Sequence, residues 1–365
     1  MHITVQRENL LGAATRAASF TSRKTSIPIL SYALLTVTEQ ATFTATDMER
    51  QIVEPFDVEV HEAGTATLPI NQVLDIVKKL PKGSMIDIRH SEQELTIKSG
   101  RYITRMATQP IDDYPVFSDF TPTIRMDIPA DVLRSRLEAV MFAISNEEVR
   151  YYLNGVYVHT DGEKLKFVAT DGHRLAVTRI VSADVEGDLA EGIIIPRQTV
   201  SDIVKLLDDG ANVEVWASDS RIGFRVGGAV ITSKLIEGKF PEYQRVIPSY
   251  QDAVVMQVPA SALSGLVERV AAVSSERSRP VKFCMSGEEL SVSCTDPNGN
   301  RAEDVISASV TGSALDIGFQ AKYVQDVMAQ ISAESVWKFG DSGSPAVVTD
   351  SGNGDFLAVI MPLRV

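Results

Sequence analysis

The sequence predicts an α+β protein of three tandem, structurally similar domains, each with a pair of helices backed by antiparallel sheets. Three observations predict this fold: an amphipathic helical pattern recurs about every 125 residues, a Thr-Asp pair recurs at the same interval, and short alternating apolar stretches fill the remainder. A period of this length is too long for a solenoid repeat and therefore indicates whole domains.

The recurring helix carries apolar residues at i, i+3, i+4 and i+7, a spacing that lays one stripe along a helix. Its three copies are Val73-Ile76-Val77-Leu80, Val200-Ile203-Val204-Leu207 and Val324-Val327-Met328-Ile331. An earlier helix precedes each copy, with apolar positions at Leu10, Leu11, Ala14, Ala17 and Ala18, then at Leu133, Leu137, Val140, Met141 and Ile144, and finally at Leu263, Leu266, Val267 and Val270. Ile128-Pro129-Ala130-Asp131 and Val258-Pro259-Ala260-Ser261 suit helix starts, because Pro fits the first turn and Asp or Ser can cap it.

A Thr-Asp pair lies between the two helices of each copy, at Thr46-Asp47, Thr170-Asp171 and Thr295-Asp296. Asp readily accepts hydrogen bonds from nearby backbone, so the recurrence favours a turn. The intervening stretches alternate as strands do. Examples are residues 41–45, 85–88, 213–216, 222–226 and 356–360, with turns at Asp161-Gly162 and Asn353-Gly354. Pro, Ser and polar residues interrupt the pattern near 118–125 and 248–253, which predicts domains at 1–120, 125–248 and 253–365.

The composition is that of a folded, soluble protein, with 44% apolar and 23% charged residues. A chain of 365 residues buries enough surface to need no metal or disulfide staple. The two cysteines, Cys284 and Cys294, form no CxxC pair and are expected to be buried thiols in a reducing compartment. The N-terminus lacks a signal-peptide stretch and no apolar run is long enough for a membrane span, so we expect a cytoplasmic protein without membrane partners.

The charge is unevenly distributed. The net charge of −13 argues against nucleic-acid binding when it is taken globally. However, the helical windows 7–24, 70–82, 130–145, 196–207, 260–279 and 320–331 hold 15 Lys or Arg and only 8 Asp or Glu. If the helices form one surface and the sheets the other, one surface attracts phosphates while the other repels them.

The sequence offers little support for an enzyme. An Asp171–His173 pair could bind a metal or transfer protons, but HExxH, CxxC and GxSxG are absent. Gly238-Lys239 lacks the upstream glycine of a phosphate loop, because Ser233 stands there, and Gly352-Asn353-Gly354 lacks the third glycine of a dinucleotide loop. We therefore expect no catalytic residue, no cofactor and no metal. Three copies of one catalytic aspartate, at positions 47, 171 and 296, would also be unusual.

Several short sequence motifs closely resemble those of the β subunit of bacterial DNA polymerase III, and the similarity extends over essentially the full chain. They are Tyr151-Tyr152-Leu153-Asn154-Gly155, Thr170-Asp171-Gly172-His173-Arg174-Leu175-Ala176, Phe240-Pro241-Glu242-Tyr243-Gln244-Arg245-Val246 and Val359-Ile360-Met361-Pro362-Leu363-Arg364-Val365. The resemblance implies the DNA clamp fold and a head-to-tail homodimer, closed as a ring with helices on the inner face and antiparallel sheets outside. It also implies a sliding clamp that holds duplex DNA without sequence preference. Topological linkage needs only weak phosphate contacts, because strong ones or base readout would stop sliding.

The resemblance also implies three sets of site residues. The DNA contacts match Lys24, Tyr151 and Tyr152, with Arg23 and Arg197 as neighbours. A pocket for short linear peptides of the replicative polymerase and the clamp loader maps onto Leu153, Thr170, Gly172, His173, Arg174, Leu175, Pro241, Arg245, Val246, Tyr323, Val359, Met361, Pro362, Leu363 and Arg364. Its apolar walls would bury Leu or Phe anchors, and Arg and His would fix the polar end of the peptide. The dimer interface matches Met106, Ala272 and Val273.

One position departs from the family pattern. Glu147 stands where some members carry a neutral amide, and a carboxylate facing phosphates would repel them. This residue and the acidic total charge support an alternative function, a three-domain protein-interaction scaffold that does not touch DNA.

Overall fold

The computed structural model describes residues 1–22, 24–92, 94–181, 184–207, 212–275 and 279–364. Within these residues each third of the chain has nine strands and two helices, in the same order along the chain as predicted for a threefold repeat. The helices are α1 (Arg7–Ser19), α2 (Ile70–Lys79), α3 (Ala130–Met141), α4 (Arg197–Leu206), α5 (Ala260–Ala271) and α6 (Ala321–Met328). None of them is both long and apolar enough to cross a bilayer.

The strands of the first third are β1 (His2–Gln6), β2 (Ala33–Val37), β3 (Ala41–Thr46), β4 (Arg50–Phe56), β5 (Glu59–Glu62), β6 (Gly64–Leu68), β7 (Met85–Ser91), β8 (Glu94–Ser99) and β9 (Tyr102–Ala107). Those of the second are β10 (Ile124–Pro129), β11 (Gly155–Asp161), β12 (Lys164–Thr170), β13 (Arg174–Val181), β14 (Val185–Glu186), β15 (Ile193–Pro196), β16 (Asn212–Ala217), β17 (Arg221–Val226) and β18 (Ala229–Lys234). Those of the third are β19 (Val254–Pro259), β20 (Pro280–Ser286), β21 (Glu289–Thr295), β22 (Arg301–Ser307), β23 (Ser309–Thr311), β24 (Leu315–Gln320), β25 (Glu334–Phe339), β26 (Ala346–Asp350) and β27 (Phe356–Ile360).

Most residues of the predicted helical stripes are buried, whereas Ile76, Leu80 and Val204 are half-buried. Val73 and Val77 of α2 and Val324 and Val327 of α6 are almost inaccessible to water. The helices are shorter than the windows used for the charge count, because turns follow them. Helix α2, for example, ends at Lys79, since the residue before Pro81 adopts an extended conformation. The expected capping by Ser261 is wrong: α5 begins at Ala260, directly after β19, without a side-chain cap.

The chain divides into two compact units, and residues of the middle third belong partly to one unit and partly to the other. The first unit comprises Met1–Val132, Asp184–Asp188 and Ser201–Leu235. It contains a five-stranded sheet, β5-β1-β7-β8-β9, and a nine-stranded sheet, β14-β10-β16-β17-β18-β4-β3-β2-β6. In the larger sheet, β18 pairs antiparallel with β4, with Val230 opposite Val53. Strands of the first and second thirds therefore form one continuous sheet.

The second unit comprises Leu133–Ala183, Leu189–Val200 and Ile236–Val365. Its nine-stranded sheet has the order β15-β11-β12-β13-β27-β26-β25-β19-β23, and its four-stranded sheet the order β22-β21-β20-β24. Here β13 pairs with β27, with Val177 opposite Leu357. The core of this unit includes Phe283, Phe319 and Trp337, whose ring centroids lie 5.4–6.0 Å apart. The two cysteines are free thiols; Cys294 is buried as expected, whereas Cys284 is half-buried.

Candidate functional site

The Thr-Asp pairs form turns, as predicted. In the second third, Oδ1 of Asp171 accepts hydrogen bonds from the backbone N–H of His173 at 2.9 Å and of Arg174 at 3.0 Å. The hydroxyl of Thr170 donates to the carbonyl of Arg174 at 2.7 Å. The turn places Gly172 at a φ of 88°, in the left-handed region that glycine adopts without strain. The equivalent aspartates make similar bonds: Asp47 accepts from two backbone N–H groups, as does Asp296.

Arg174 is fixed by three partners. Its Nε donates to Asp171 at 3.0 Å, its Nη1 to Asp326 of α6 at 2.6 Å, and its Nη2 to the carbonyl of Phe142 at 2.6 Å. The guanidinium also lies over the ring of Tyr323, with its central carbon 4.5 Å from the ring centroid. Every donating nitrogen therefore has an acceptor, and the side chain forms a rigid wall.

A cavity of about 340 Å³ opens beside this turn. Its buried apolar floor consists of Leu153, Leu175, Tyr243 and Val359, which belong to a core cluster that also includes Val168, Ile194 and Phe240. Ten of the fifteen residues predicted for the peptide pocket line it: Leu153, Thr170, Gly172, His173, Arg174, Leu175, Pro241, Val246, Val359 and Met361. Val246 and Met361 are 56% and 43% exposed, so part of the apolar lining of the cavity is accessible to solvent.

Five predicted pocket residues lie outside the lining. Tyr323 is adjacent to it, because its ring packs on His173 with centroids 6.4 Å apart, and burial raises the pKa of its hydroxyl. Arg245 is largely exposed and pairs with Glu242. Pro362, Leu363 and Arg364 follow Met361, and the backbone N–H of Leu363 donates to the carbonyl of Gly318 at 2.8 Å, which docks this part of the chain.

Four further residues line the cavity: Arg150, Tyr152, Glu242 and Tyr243. The family resemblance implies DNA contact for Tyr152 and gives Arg150, Glu242 and Tyr243 no role of their own. Glu242 and Tyr243 lie within the motif Phe240–Val246, and the resemblance of this motif to the family could have identified them as pocket residues. Arg150 lies directly before another motif and carried no signal of its own. Its guanidinium covers Gly172, where an added Cβ would lie only 2.5 Å from Nη1.

Glu147 does not present a free carboxylate. It accepts two hydrogen bonds from Arg150, from Nε at 2.8 Å and from Nη2 at 2.7 Å. These bonds hold the pKa of Glu147 below its ordinary value and raise the pKa of Arg150. The expected repulsion between Glu147 and phosphates is therefore reduced, because the neighbouring cation offsets its charge.

The residues predicted to contact DNA differ in accessibility. Lys24 is exposed, and Arg23 lies outside the described residues. Tyr151 is 53% exposed and packs edge-on against Tyr152, with ring centroids 5.9 Å apart. Arg197 is half-buried and donates to the carbonyls of Ile144 and Ser145 just after α3, and burial lowers its pKa. Arg197 is thus partly engaged in holding this loop.

The residues predicted for the dimer interface are accessible on the unit to which each belongs. Met106 is a half-buried residue of β9, an edge strand of its sheet, and Ala272 and Val273 follow α5 in a turn. Among the described residues, no group of three His, Cys, Asp or Glu side chains is arranged to hold a metal ion.

Comparisons with known proteins match the whole chain. Three family models of the DNA polymerase III beta subunit match it, the N-terminal domain at residues 1–118, the central domain at 127–242 and the C-terminal domain at 244–364. The beta sliding clamp of Pseudomonas putida is 34% identical and that of Escherichia coli K12 is 32% identical, each over 100% of both chains. A solved structure of the sliding clamp (DNA polymerase III subunit beta) from Bartonella birtlesii bound to griselimycin is 36% identical and covers 100% of both chains, with a TM-score of 0.96. That of the Caulobacter crescentus beta sliding clamp is 35% identical over 100% of both chains, with a TM-score of 0.94.

Proposed function

The chain belongs to the DNA polymerase III beta subunit family and is a DNA sliding clamp, and we propose that two copies close head to tail into a ring around duplex DNA. Its function would be to tether the replicative polymerase and other replication proteins, and it would catalyse no reaction. Head-to-tail association closes only when the rotation between copies closes.

The proposal of a ring rests on the order in which strands of successive thirds pair. In the first third, the strand after the Thr-Asp turn, β4, pairs with β18, the last strand of the second third. In the second third, the corresponding strand, β13, pairs with β27, the last strand of the third. The next member of the series is β22, which follows Asp296 and lies at the edge of its sheet. Its matching partner is β9, the last strand of the first third, which also lies at an edge.

We infer that β22 of one copy pairs with β9 of the partner copy. Both strands expose apolar side chains, with Val305 48% and Ile103 51% exposed. An open edge offers a row of unpaired N–H and C=O groups and is a ready template for another strand. Met106 on β9 and Ala272 and Val273 after α5 are the interface residues that this pairing would place near the partner.

The proposed DNA contacts are Lys24, Tyr151, Tyr152 and Arg197, with Arg23 beside Lys24. Exposed Lys and Tyr side chains can touch phosphates without reading bases, which suits a ring that slides. The engagement of Glu147 with Arg150 supports DNA contact in this region, because the neighbouring cation reduces the repulsion between Glu147 and phosphates.

The cavity beside Arg174 is the proposed site for short linear peptides of the polymerase and the clamp loader. Its apolar floor would bury hydrophobic anchors, and His173 at its rim would bind polar groups, while Arg174, whose guanidinium is engaged within the protein, would form a fixed wall. Met361 is flexible and suits a pocket that accepts several related peptides. We propose that griselimycin, with which the Bartonella birtlesii relative was solved, binds in this cavity of the present chain and can serve as its probe.

The ring is tested by topology. The protein is loaded onto nicked circular DNA with a clamp loader and ATP, the circles are linearised, and retention is followed by gel filtration at moderate salt. We expect retention on circles and release from linear DNA. Equal retention on both forms would mean ordinary binding and would contradict the ring. If neither form retains the protein, sedimentation decides: a stable dimer points to a mismatched loader, and a monomer to the DNA-independent scaffold.

A further inference from the structure

Tyr243 connects the peptide pocket to a buried histidine. The tyrosine lines the cavity but is only 3% exposed. Its hydroxyl lies 2.9 Å from Nε2 of His159, which is on β11 and only 5% exposed. His159 does not line the cavity, and its contact with the Tyr243 hydroxyl is the most direct route by which it can influence a bound peptide.

Both residues belong to a stack of rings beneath the pocket. Tyr157 lies parallel to Phe240, with centroids 4.7 Å apart, and stacks on the other side against His159 at 4.9 Å. His159 meets Tyr243 edge-on at 5.7 Å. Phe240 and Tyr243 flank Pro241 and Glu242 in sequence, and these two residues form one side of the cavity. The position of that side therefore depends on the stack.

The hydrogen bonds fix the protonation of His159. Its Nδ1 lies 3.1 Å from the carbonyl oxygen of Thr160, which can only accept, so Nδ1 carries the proton. Nε2 is then an acceptor, and the Tyr243 hydroxyl donates to it. Burial raises the pKa of Tyr243, which keeps this donor protonated. The ring is thus a neutral imidazole with both nitrogens engaged.

Protonation would disturb this arrangement. A second proton on Nε2 would turn an acceptor into a donor, and the Tyr243 hydroxyl would have to rotate its own proton away. Burial lowers the pKa of His159. The positive charge of Lys166, which lies opposite His159 on the neighbouring strand β12, lowers this pKa further. The carbonyl of Thr160 and the carboxylate of Asp161 on its own strand act in the opposite direction. The other titratable groups that face His159 are Tyr157 and Tyr243, whose rings pack against it. The Tyr157 hydroxyl donates to the carbonyl of Glu191.

We propose that His159 is a positioning residue of the peptide pocket, which acts through the Tyr243 hydroxyl and makes peptide binding depend on the neutral imidazole. This inference rests on the proposed peptide-binding function of the cavity. It predicts that affinity is full where His159 is neutral and falls as the pH drops through its pKa, because Nε2 of the charged form no longer accepts from the Tyr243 hydroxyl, whose proton must turn to another direction.

The test is calorimetric binding of griselimycin to the full-length protein from about pH 8 to about pH 5. The variants are Tyr243→Phe, which removes only the hydroxyl, His159→Phe, which keeps a ring in the stack, and the double variant. At pH 8 we expect each single variant to bind about 3- to 10-fold more weakly, the range for one lost hydrogen bond. The double variant should be no weaker than the single ones, because both remove the same interaction.

The pH profile separates this role from a merely structural one. His173 at the rim is unchanged in both single variants, so its own contribution to binding is the same in them as in the wild type. The part of the pH dependence that disappears in Tyr243→Phe therefore belongs to His159. By linkage, griselimycin should also lower the pKa of His159 in the wild type, which imidazole NMR shifts can follow. If His159→Phe does not fold, Tyr243→Phe and the NMR titration still decide.

The possible failures are distinguishable. Unchanged affinity and an unchanged pH profile in Tyr243→Phe, with griselimycin bound normally by the wild type, would overturn the role of His159 alone. Strictly additive losses in the double variant would also overturn it. Absence of binding to the wild type at every pH would overturn both this inference and the proposed pocket.

Discussion

The Asp326 carboxylate of α6 accepts a hydrogen bond from Nη1 of Arg174 at 2.6 Å, and both side chains are nearly buried. The same arrangement exists in the other unit, where Arg50 of β4 pairs with Asp202 of α4 and lies over the ring of Phe20. In each case a strand that follows a Thr-Asp turn is attached to a helix that is distant in sequence. The ion pair thus accompanies the first and second Thr-Asp turns, and in each unit it holds a strand to a helix.

Asp326→Asn should lower the free energy of unfolding by about 3 kcal/mol, because it leaves the charge of Arg174 without its closest buried partner. Urea denaturation followed by circular dichroism measures this. Lys322→Ala is the matched control: Lys322 pairs with the same carboxylate from an exposed position, and its loss should cost less than about 1 kcal/mol. Equal effects of the two variants would contradict a special role for Arg174.

Met361→Glu should weaken griselimycin binding by at least about 10-fold, because it places a charge where the pocket is proposed to bury apolar surface. Met48→Glu is a close control, since Met48 and Met361 are both 43% exposed and Met48 lies in the other unit. Calorimetry gives both affinities, and thermal unfolding checks that both variants are folded. Similar affinities for the two variants would place the binding site elsewhere.

Glu147→Gln should raise the affinity for duplex DNA by about 2- to 5-fold at low salt, because it removes a negative charge and releases Arg150 to bind phosphate. The gain should shrink as salt screens the contact. Fluorescence anisotropy with a short labelled duplex measures it. Glu148→Gln removes an adjacent exposed charge without releasing Arg150, so an equal gain there would show that Arg150 does not take part.

Ile103→Arg or Val305→Arg should weaken the dimer on the order of 100-fold, because pairing of β9 with β22 would bury an unpaired charge. Sedimentation velocity over a range of protein concentrations reports the dissociation constant. Val181→Arg is the control, as Val181 is 53% exposed but lies on β13, an interior strand. A dimer that tolerates Ile103→Arg and Val305→Arg would contradict the proposed pairing.

The sequence predicted the features that local patterns encode. The stripes of α2, α4 and α6 and the turns at Asp47, Asp171 and Asp296 follow from side-chain spacing and backbone hydrogen bonding. The pairing of β4 with β18 joins residues as distant as Val53 and Val230. A period of two marks a strand but does not identify its partner, so the continuous sheets could not be predicted.

The candidate site was predictable only in part. Motifs identified Thr170–Leu175 and Pro241, whereas Arg150 and Tyr243 became visible through contacts with residues distant in sequence. For Glu147, the residue type alone predicts repulsion of phosphates, and only the position of Arg150 in the structure reveals the ion pair that reduces it. His159 stands alone in the sequence, and its relation to the pocket depends entirely on how Tyr243 packs against β11.

The division of the middle third between two sheets bears on its autonomy as a folding unit. Residues 125–248 supply β18 to one nine-stranded sheet and β13 to the other, and each of these strands is completed by a neighbouring third. Excised alone, this segment would carry two bare strand edges, which favour self-association over a stable monomer. The middle third is therefore a repeat in sequence but not an independently folding domain. We expect its strands to become stable only when they pair with the strands of the neighbouring thirds.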